Sequence, residues 1–259
     1  MLQRKVMEYH PKDYWEERLS KNFALAGAGH LSFNEYYNRW LYRAKVRALK
    51  KALSTQKIDI LGKAVCDIGC GTGFFVDFYK CLGAKDIVGI DITHVSIEKL
   101  KSRYPEYVFV EGDIASVSIT SKMNRKFNIL NIFDVLYHIK DDEGFIQAIK
   151  NISELAQDEG YIFISDLFRA QDIDLSPYIT FRSKKTYEAA FRDSGLKVIT
   201  TYPLYYYLNR TVSGKILNRL FSGQSFAVDN LFAPLYYLLD GVVLSERKNN
   251  LNLIVAEKA

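Results

Sequence analysis

Residues 65–75 read Val65-Cys66-Asp67-Ile68-Gly69-Cys70-Gly71-Thr72-Gly73-Phe74-Phe75. A short apolar run meets three alternate glycines before a helical pattern begins. The spacing predicts a buried strand, a tight turn and a helix start. Glycine, having no Cβ, reaches backbone angles closed to other residues and lets a ligand lie directly against the main chain. A helix N-terminus beside that ligand offers unpaired N–H groups and a partial positive charge suited to a carboxylate.

The turn suits a nucleotide-like ligand, and position 74 narrows the choice. A dinucleotide fingerprint, G-x-G-x-x-G, needs a third glycine at 74, where this chain has Phe74, so pyrophosphate and a dinucleotide oxidoreductase are disfavoured. Three further pieces follow in order: Gly89-Ile90-Asp91, then Glu111-Gly112-Asp113-Ile114, then the run from Phe127 through Phe133 and Asp134 to Tyr137 and His138. Taken with Asp67 and the glycine turn, this ordered set resembles the class I S-adenosylmethionine-dependent methyltransferases over residues 60–200.

The resemblance implies a doubly wound α/β fold, with a seven-stranded, mostly parallel sheet whose last strand is reversed. It implies S-adenosyl-L-methionine as cofactor, cradled by the turn Gly69, Cys70, Gly71 and Gly73. In the family's pattern Asp91 accepts from the ribose hydroxyls, Asp113 and Ile114 meet the adenine, and Ile92 packs on that ring. Asp67 anchors the amino end of the methionine moiety, directly or through water, and the Phe133 carbonyl contacts the same group. From the residues alone, Asp91 also reads as a helix cap, Asp113 as a common loop residue, and the others as plain sheet packing.

Strand and helix patterns alternate through the middle of the chain, which by itself argues for a parallel sheet covered on both faces. Strands are predicted at 64–68, 86–91, 107–111, 127–133, 161–165, 196–201 and 251–257, and helices at 73–82, 94–103, 143–156 and 184–194. Asp141 and Ser183 stand where N-caps belong. We divide the chain into an N-terminal helical cap (1–59), a cofactor-binding α/β core (60–201), a helical insertion (202–250) and a last core strand (251–259). The cap reads as amphipathic helices over 14–25 and 33–53; the insertion reads as a helix at 212–221 followed by two segments around 229–244.

Acceptor-side candidates follow from position. His138, five residues beyond Phe133, is either a general base or a partly exposed loop histidine. Asp134, Tyr137 and Asp166 lie on the same sheet edge. His30, beside a glycine pair, is either a turn residue or a polar group offered to the site. Tyr37 and Trp40 on the cap's aromatic face belong either to the core or to a cover over the ligands, and Tyr206 belongs to the tyrosine-rich insertion. Tyrosine faces suit aromatic rings or sugars, which favours a small or medium-sized acceptor such as a natural product, a glycan intermediate or a lipid-linked molecule. An O-methyl product follows if His138 is the base. A non-catalytic scaffold that binds the cofactor is the alternative, because every strong motif concerns the cofactor.

Composition sets the outer bounds. The 259 residues, 48% hydrophobic and 25% charged, suffice for a large core. A net charge of +5 without an arginine-rich or aromatic-basic motif disfavours nucleic acid as partner. Three cysteines without CxxC spacing point to no disulfide framework and no metal site, and with no apolar leader they suggest a cytoplasmic protein. The apolar stretch 226–244 is interrupted by Asp229, Pro234 and Asp240, so no spanning helix is expected, and transient contact with a membrane surface is.

Overall fold

The computed structural model describes residues 9–209, 225–245 and 250–259. At the centre of its main sheet, β1 (Ala64–Ile68) pairs in parallel with β2 (Asp86–Asp91) on one side and β4 (Phe127–Phe133) on the other. Outward from these lie β3 (Val108–Glu111) beside β2 and β5 (Ala156–Asp166) beside β4, both parallel. A reversed strand, β9 (Leu251–Lys258), then joins β5 to β8 (Leu196–Tyr205), antiparallel to each. The order 3-2-1-4-5-9-8 is the expected sheet, and its switch point falls between β1 and β4.

Near-continuous apolar runs in β1 and β4 are explained by cover on both faces. On one face α3 (Glu35–Thr55), α4 (Phe74–Cys81) and α5 (His94–Arg103) bury Leu49, Tyr79 and Leu100 against Ile87 and Phe163. On the other, α6 (Ile119–Met123), α7 (Asp142–Leu155) and α8 (Lys184–Asp193) bury Ile119, Ile149 and Phe191 against Ile68 and Leu130. Each such side chain contributes roughly 1.5–3 kcal/mol through burial. The caps are where they were expected: Asp141 accepts from the Gly144 N–H at 2.6 Å and Ser183 from that of Thr186 at 3.2 Å.

The periphery departs from the sequence reading. The first helix, α1, spans Pro11–Lys21 rather than 14–25, because a proline is pre-shaped for the first helical position. A short α2 (Leu25–Ala28) follows. β5 begins at Ala156, five residues early, with Ala156 paired to Phe127 across a register shift. Between β5 and α8 lies a hairpin the sequence did not announce, β6 (Ile173–Ser176) with β7 (Ile179–Phe181).

β8 runs on to Tyr205, into the stretch assigned to the insertion. The later insertion is one helix, α9 (Ser225–Val243), passing through Pro234, instead of two segments; the helix expected at 212–221 lies outside the described residues. Buried Asp240 fastens α9 to the end of β8 by accepting from the N–H groups of Tyr206 (3.2 Å), Tyr207 (2.8 Å) and Leu208 (3.3 Å). No helix among the described residues is long and apolar enough to cross a membrane.

Candidate active site

The glycine turn leaves the carboxyl end of β1 and bounds a cavity of about 250 Å³. Gly69, Gly71 and Gly73 all have positive φ, at 74°, 49° and 81°. Their roles differ. A Cβ on Gly69 would meet Val135 Cγ2 at 2.3 Å, and one on Gly73 would meet Leu100 Cδ2 at 2.6 Å, so those two serve packing. At Gly71 the nearest atom is Ala28 Cβ at 3.7 Å, which leaves ligand space directly over the main chain. Gly73 does not line the cavity; it is the left-handed residue from which α4 starts.

Asp91 ends β2 inside this cavity, where one oxygen accepts the Gly71 N–H at 2.8 Å and the other the N–H and hydroxyl of Thr93 at 2.9 and 2.7 Å. Burial raises its pKa above the ordinary carboxylate value. Asp91 thus ties the glycine turn to the loop after β2 while lining the cavity; it does not cap α5, whose N-cap is Thr93. Ile92, Asp113, Ile114, Cys70 and Phe133 line the same space. Asp113 is held in its loop by accepting the Ala115 N–H at 2.8 Å.

Asp67 lies behind the wall. One oxygen accepts from Asn131 Nδ2 at 2.7 Å, while the other is buried without a partner among the described residues. Burial pushes its carboxyl up to about 7, the Asn131 hydrogen bond pulls the other way, and nearby Asp91 adds to the rise. A buried carboxylate oxygen with no donor costs on the order of 1–3 kcal/mol, which a cationic group in the cavity would offset.

The roof comes from the cap, which sequence reasoning placed only in general terms. Tyr9, Pro11, Trp15 and Ala28 close the cavity. α1 is tied down by Glu16, whose carboxylate accepts the His94 and Val95 N–H groups at 2.6 and 3.1 Å at the start of α5. Lys12 reaches Glu111 at 2.7 Å. A carboxylate on an N-terminal turn satisfies orphan donors and meets the positive end of the helix dipole.

A second cavity, about 410 Å³, adjoins the first and shares Trp15, Ala28, Asp134 and His138 with it. Tyr137, Tyr178, Phe181 and Tyr205 supply flat faces, two of them from the hairpin β6–β7 and its turn. Asp134 stands at the junction with φ of 61°. Its N–H donates to Ser165 Oγ at 2.7 Å, the Ser165 hydroxyl donates back to Oδ1 at 2.8 Å, and Oδ2 is paired with the buried ammonium of Lys45. Burial alone would raise this carboxyl; Lys45, Ser165 and Tyr137 outweigh it and hold the pKa below the usual value.

His138 presents a defined tautomer. Its Nδ1–H donates to the Tyr178 carbonyl at 2.7 Å, because a carbonyl can only accept. Nε2 therefore carries the lone pair. Burial lowers the ring's pKa to about 4 despite that hydrogen bond, so the imidazole is neutral at physiological pH. Its ring stands edge-on to Trp15 at 5.0 Å.

Other candidates fall elsewhere. His30 does line the second cavity, its Nδ1 accepting the Ser32 N–H at 3.2 Å. Tyr37 lines neither: it is buried, stacked on Phe33 at 3.9 Å, with its hydroxyl donating to the Leu208 carbonyl at 2.8 Å. Trp40 faces Tyr237 of α9 at 5.3 Å, and Tyr206 packs edge-on to Tyr207 at 5.2 Å. Asp166 is buried on the far side of β5, where it takes the Tyr187 hydroxyl and the Leu167 N–H. The aromatic face of α3 is thus core and a seat for α9. Sequence reasoning missed Trp15, Arg18, Lys45 and Arg169 as cavity residues; helical spacing marked the elements of the first three but could not say which face met the ligand side, and Arg169 lies on a stretch between β5 and β6 that carries no periodic signal.

Comparison with known proteins agrees with the geometry. A methyltransferase domain profile matches residues 37–201. The chain is 28% identical over 114 residues to the tRNA U34 carboxymethyltransferase of Campylobacter hominis, covering 43% of this chain and 38% of the relative. It is 32% identical over 119 residues to the ubiquinone biosynthesis O-methyltransferase of Glaesserella parasuis serovar 5, covering 42% of this chain and 48% of the relative. In both cases the match spans less than half the relative's length. Among solved structures, magnesium protoporphyrin IX methyltransferase from Synechocystis PCC 6803 with bound SAM superposes with a TM-score of 0.58 at 14% identity, covering 96% of this chain and 95% of that one. The N-methyltransferase NodS from Bradyrhizobium japonicum WM9 with S-adenosyl-L-homocysteine gives 0.57 at 14% identity, covering 95% and 99%.

Proposed function

The chain belongs to the class I S-adenosylmethionine-dependent methyltransferases, and from that premise we propose that it methylates an oxygen of a small or medium-sized acceptor bound in the second cavity. The observation that carries the reading is the junction: a cavity over the glycine turn and an aromatic one share Asp134 and His138 in their walls.

The residues fit the cofactor. Gly71 leaves the room a Cβ would occupy, the partnerless Asp67 oxygen suits an ammonium group, and Asp91, Ile92, Asp113 and Ile114 offer carboxylates and apolar surface for an adenosine. Cys70 and the Phe133 carbonyl complete this set, with Gly69 and Gly73 holding the turn. When bound, S-adenosylmethionine supplies a methyl group already activated on a sulfonium sulfur, which leaves as the neutral thioether when the acceptor oxygen forms the new bond. The protein's part is in-line placement, with reacting atoms ~3–3.5 Å apart, and exclusion of water by Trp15 and the cap.

His138 Nε2 accepts the hydrogen bond of the acceptor hydroxyl and orients its lone pair. With a pKa near 4 it is a weak base, yet an oxygen that has just gained a methyl while keeping its proton is far more acidic, so the proton passes late. Asp134, Tyr137 and His30 contact the acceptor, while Asp166, Tyr37, Trp40 and Tyr206 line neither cavity. The relatives acting in ubiquinone biosynthesis are named as O-methyltransferases, which favours oxygen as the acceptor atom.

α9 adds a membrane-surface reading. Leu231, Leu238 and Val242 are 75%, 65% and 85% exposed along one face of the helix. An exposed apolar ridge on a helix suits a lipid surface; protein left at the bottom of a flotation gradient with anionic liposomes argues against it.

The central test is incubation with methyl-labelled cofactor and fractionated metabolites. Label is expected in a small-molecule ether; label confined to protein or RNA, or none at all beyond cofactor breakdown, defeats the proposal.

A further inference from the structure

The wall of the second cavity carries three cationic side chains, Arg18, Lys45 and Arg169, against a single carboxylate, Asp134. Lys45 and Asp134 are paired and cancel. Arg18 donates to the Gly29 carbonyl and lies 3.4 Å from the Tyr14 hydroxyl, with its guanidinium 4.7 Å from the centre of the Trp15 ring; its Nε–H is buried and has no partner among the described residues. Arg169, on the exposed stretch after β5, has its guanidinium 5.9 Å from the centre of the Phe181 ring. Among the described residues neither arginine pairs with a carboxylate. The two sit in one wall otherwise built of Trp15, Tyr137, Tyr178 and Phe181.

Two uncompensated guanidinium groups facing one ligand-sized space repel a cationic acceptor and leave a neutral one without the counter-charge the site lacks. A guanidinium is a rigid, planar array of donors matched to an oxyanion, and charge-assisted hydrogen bonds are roughly twice as strong as neutral ones. We infer that the methyl acceptor is an aromatic or similarly flat anion, whose carboxylate or phosphate is held by Arg18, with Arg169 adding attraction at the exposed wall, while its apolar body lies against Trp15, Tyr178 and Phe181. The inference rests on the second cavity being the acceptor site.

The test uses the whole protein saturated with S-adenosylhomocysteine and calorimetric titration of three probes: 6-hydroxy-2-naphthoate, its methyl ester, and 2-naphthyl phosphate. The naphthoate or the phosphate is expected to bind at least about tenfold more tightly than the ester, and the tighter of the two identifies the oxyanion. In Arg169→Gln, an exposed position whose loss cannot unfold the chain, the preference for the anion should shrink about threefold or more, while Arg169→Lys keeps most of it. Arg18→Gln should nearly abolish the preference while leaving S-adenosylhomocysteine affinity in place, and that affinity reports that the variant is folded. Equal binding of ester and anions overturns the anion assignment and leaves the acceptor reading standing. Binding of no probe, with S-adenosylhomocysteine still bound, counts against both.

Discussion

Replacing Lys45 with methionine isolates the interaction that joins the cap to the catalytic edge of the sheet. The ammonium is 4% exposed and the Asp134 carboxylate 18% exposed, and each is the other's charge partner. Methionine keeps most of the stem volume but strands the carboxylate, leaving it only Ser165 and Tyr137. Breaking a buried pair from one side costs about 3–5 kcal/mol; because Asp134 keeps some contact with water, we expect the lower end, roughly 2–3 kcal/mol. Asp134→Asn tolerates the left-handed backbone and strands the ammonium over the Tyr42 ring, at a similar cost. For a domain of this length each kcal/mol shifts the midpoint by about 2–4 °C, so each single variant should melt roughly 4–12 °C low. The double variant removes both charges and should be about as stable as either single one, giving a coupling energy of about 2–3 kcal/mol in urea unfolding. Strict additivity, with coupling under about 0.5 kcal/mol, would falsify the claim that the two groups support one another.

Three further outcomes follow from the site. Asp67, with a pKa near 7 in the free protein, is about half protonated at neutral pH; an ammonium docking beside it favours the carboxylate, so cofactor binding should release about half a proton at pH 7 and almost none at pH 9, measured by calorimetry in buffers of different ionisation enthalpy, and Asp67→Asn should remove the effect. Asp91→Ala deletes the acceptor of the Gly71 N–H and should weaken S-adenosylhomocysteine binding by about 1–3 kcal/mol, whereas unchanged affinity would detach the turn from the ligand. Because the folded pKa of His138 is depressed, its neutral form persists as pH falls until about 4; kcat/KM should therefore show no inflection from this group between pH 6 and 7, and an inflection there that disappears in His138→Gln would contradict the enclosed ring.

The depressed histidine also bears on stability, with the same direction of pH dependence as Asp134. Unfolded His138 takes up a proton as pH drops below about 6.5 while the folded ring does not until about 4, so this group subtracts stability across that window. Asp134, with its pKa lowered, contributes stability above the ordinary carboxylate pKa and loses it as pH falls through its own folded value. Acid should therefore weaken the junction from both sides.

The sequence by itself determined the sheet, its central strands and the cofactor edge. Those features are local: alternate glycines after an apolar run, an acid at the end of each of the next two strands, and near-continuous apolar runs where both faces are covered. Each leaves its signature within a dozen residues, and the caps at Asp141 and Ser183 are of the same kind. What only the tertiary structure decided is which side chains from distant segments share a cavity. Trp15, Arg18, Lys45, Asp134, His138 and Arg169 meet because α1, α3, the β4 edge and the stretch after β5 converge, and helical periodicity in α3 cannot distinguish Lys45, turned toward Asp134, from Tyr37, turned into the core. The hairpin β6–β7 escaped for another reason: Ile173–Ser176 and Ile179–Phe181 do alternate apolar with polar, but over only four and three residues, a run too short to mark a strand. Burial reverses ordinary chemistry through the same convergence of distant segments: a carboxyl such as Asp67 and an imidazole such as His138 take their charge states from neighbours supplied by other strands and helices, which no window of sequence contains.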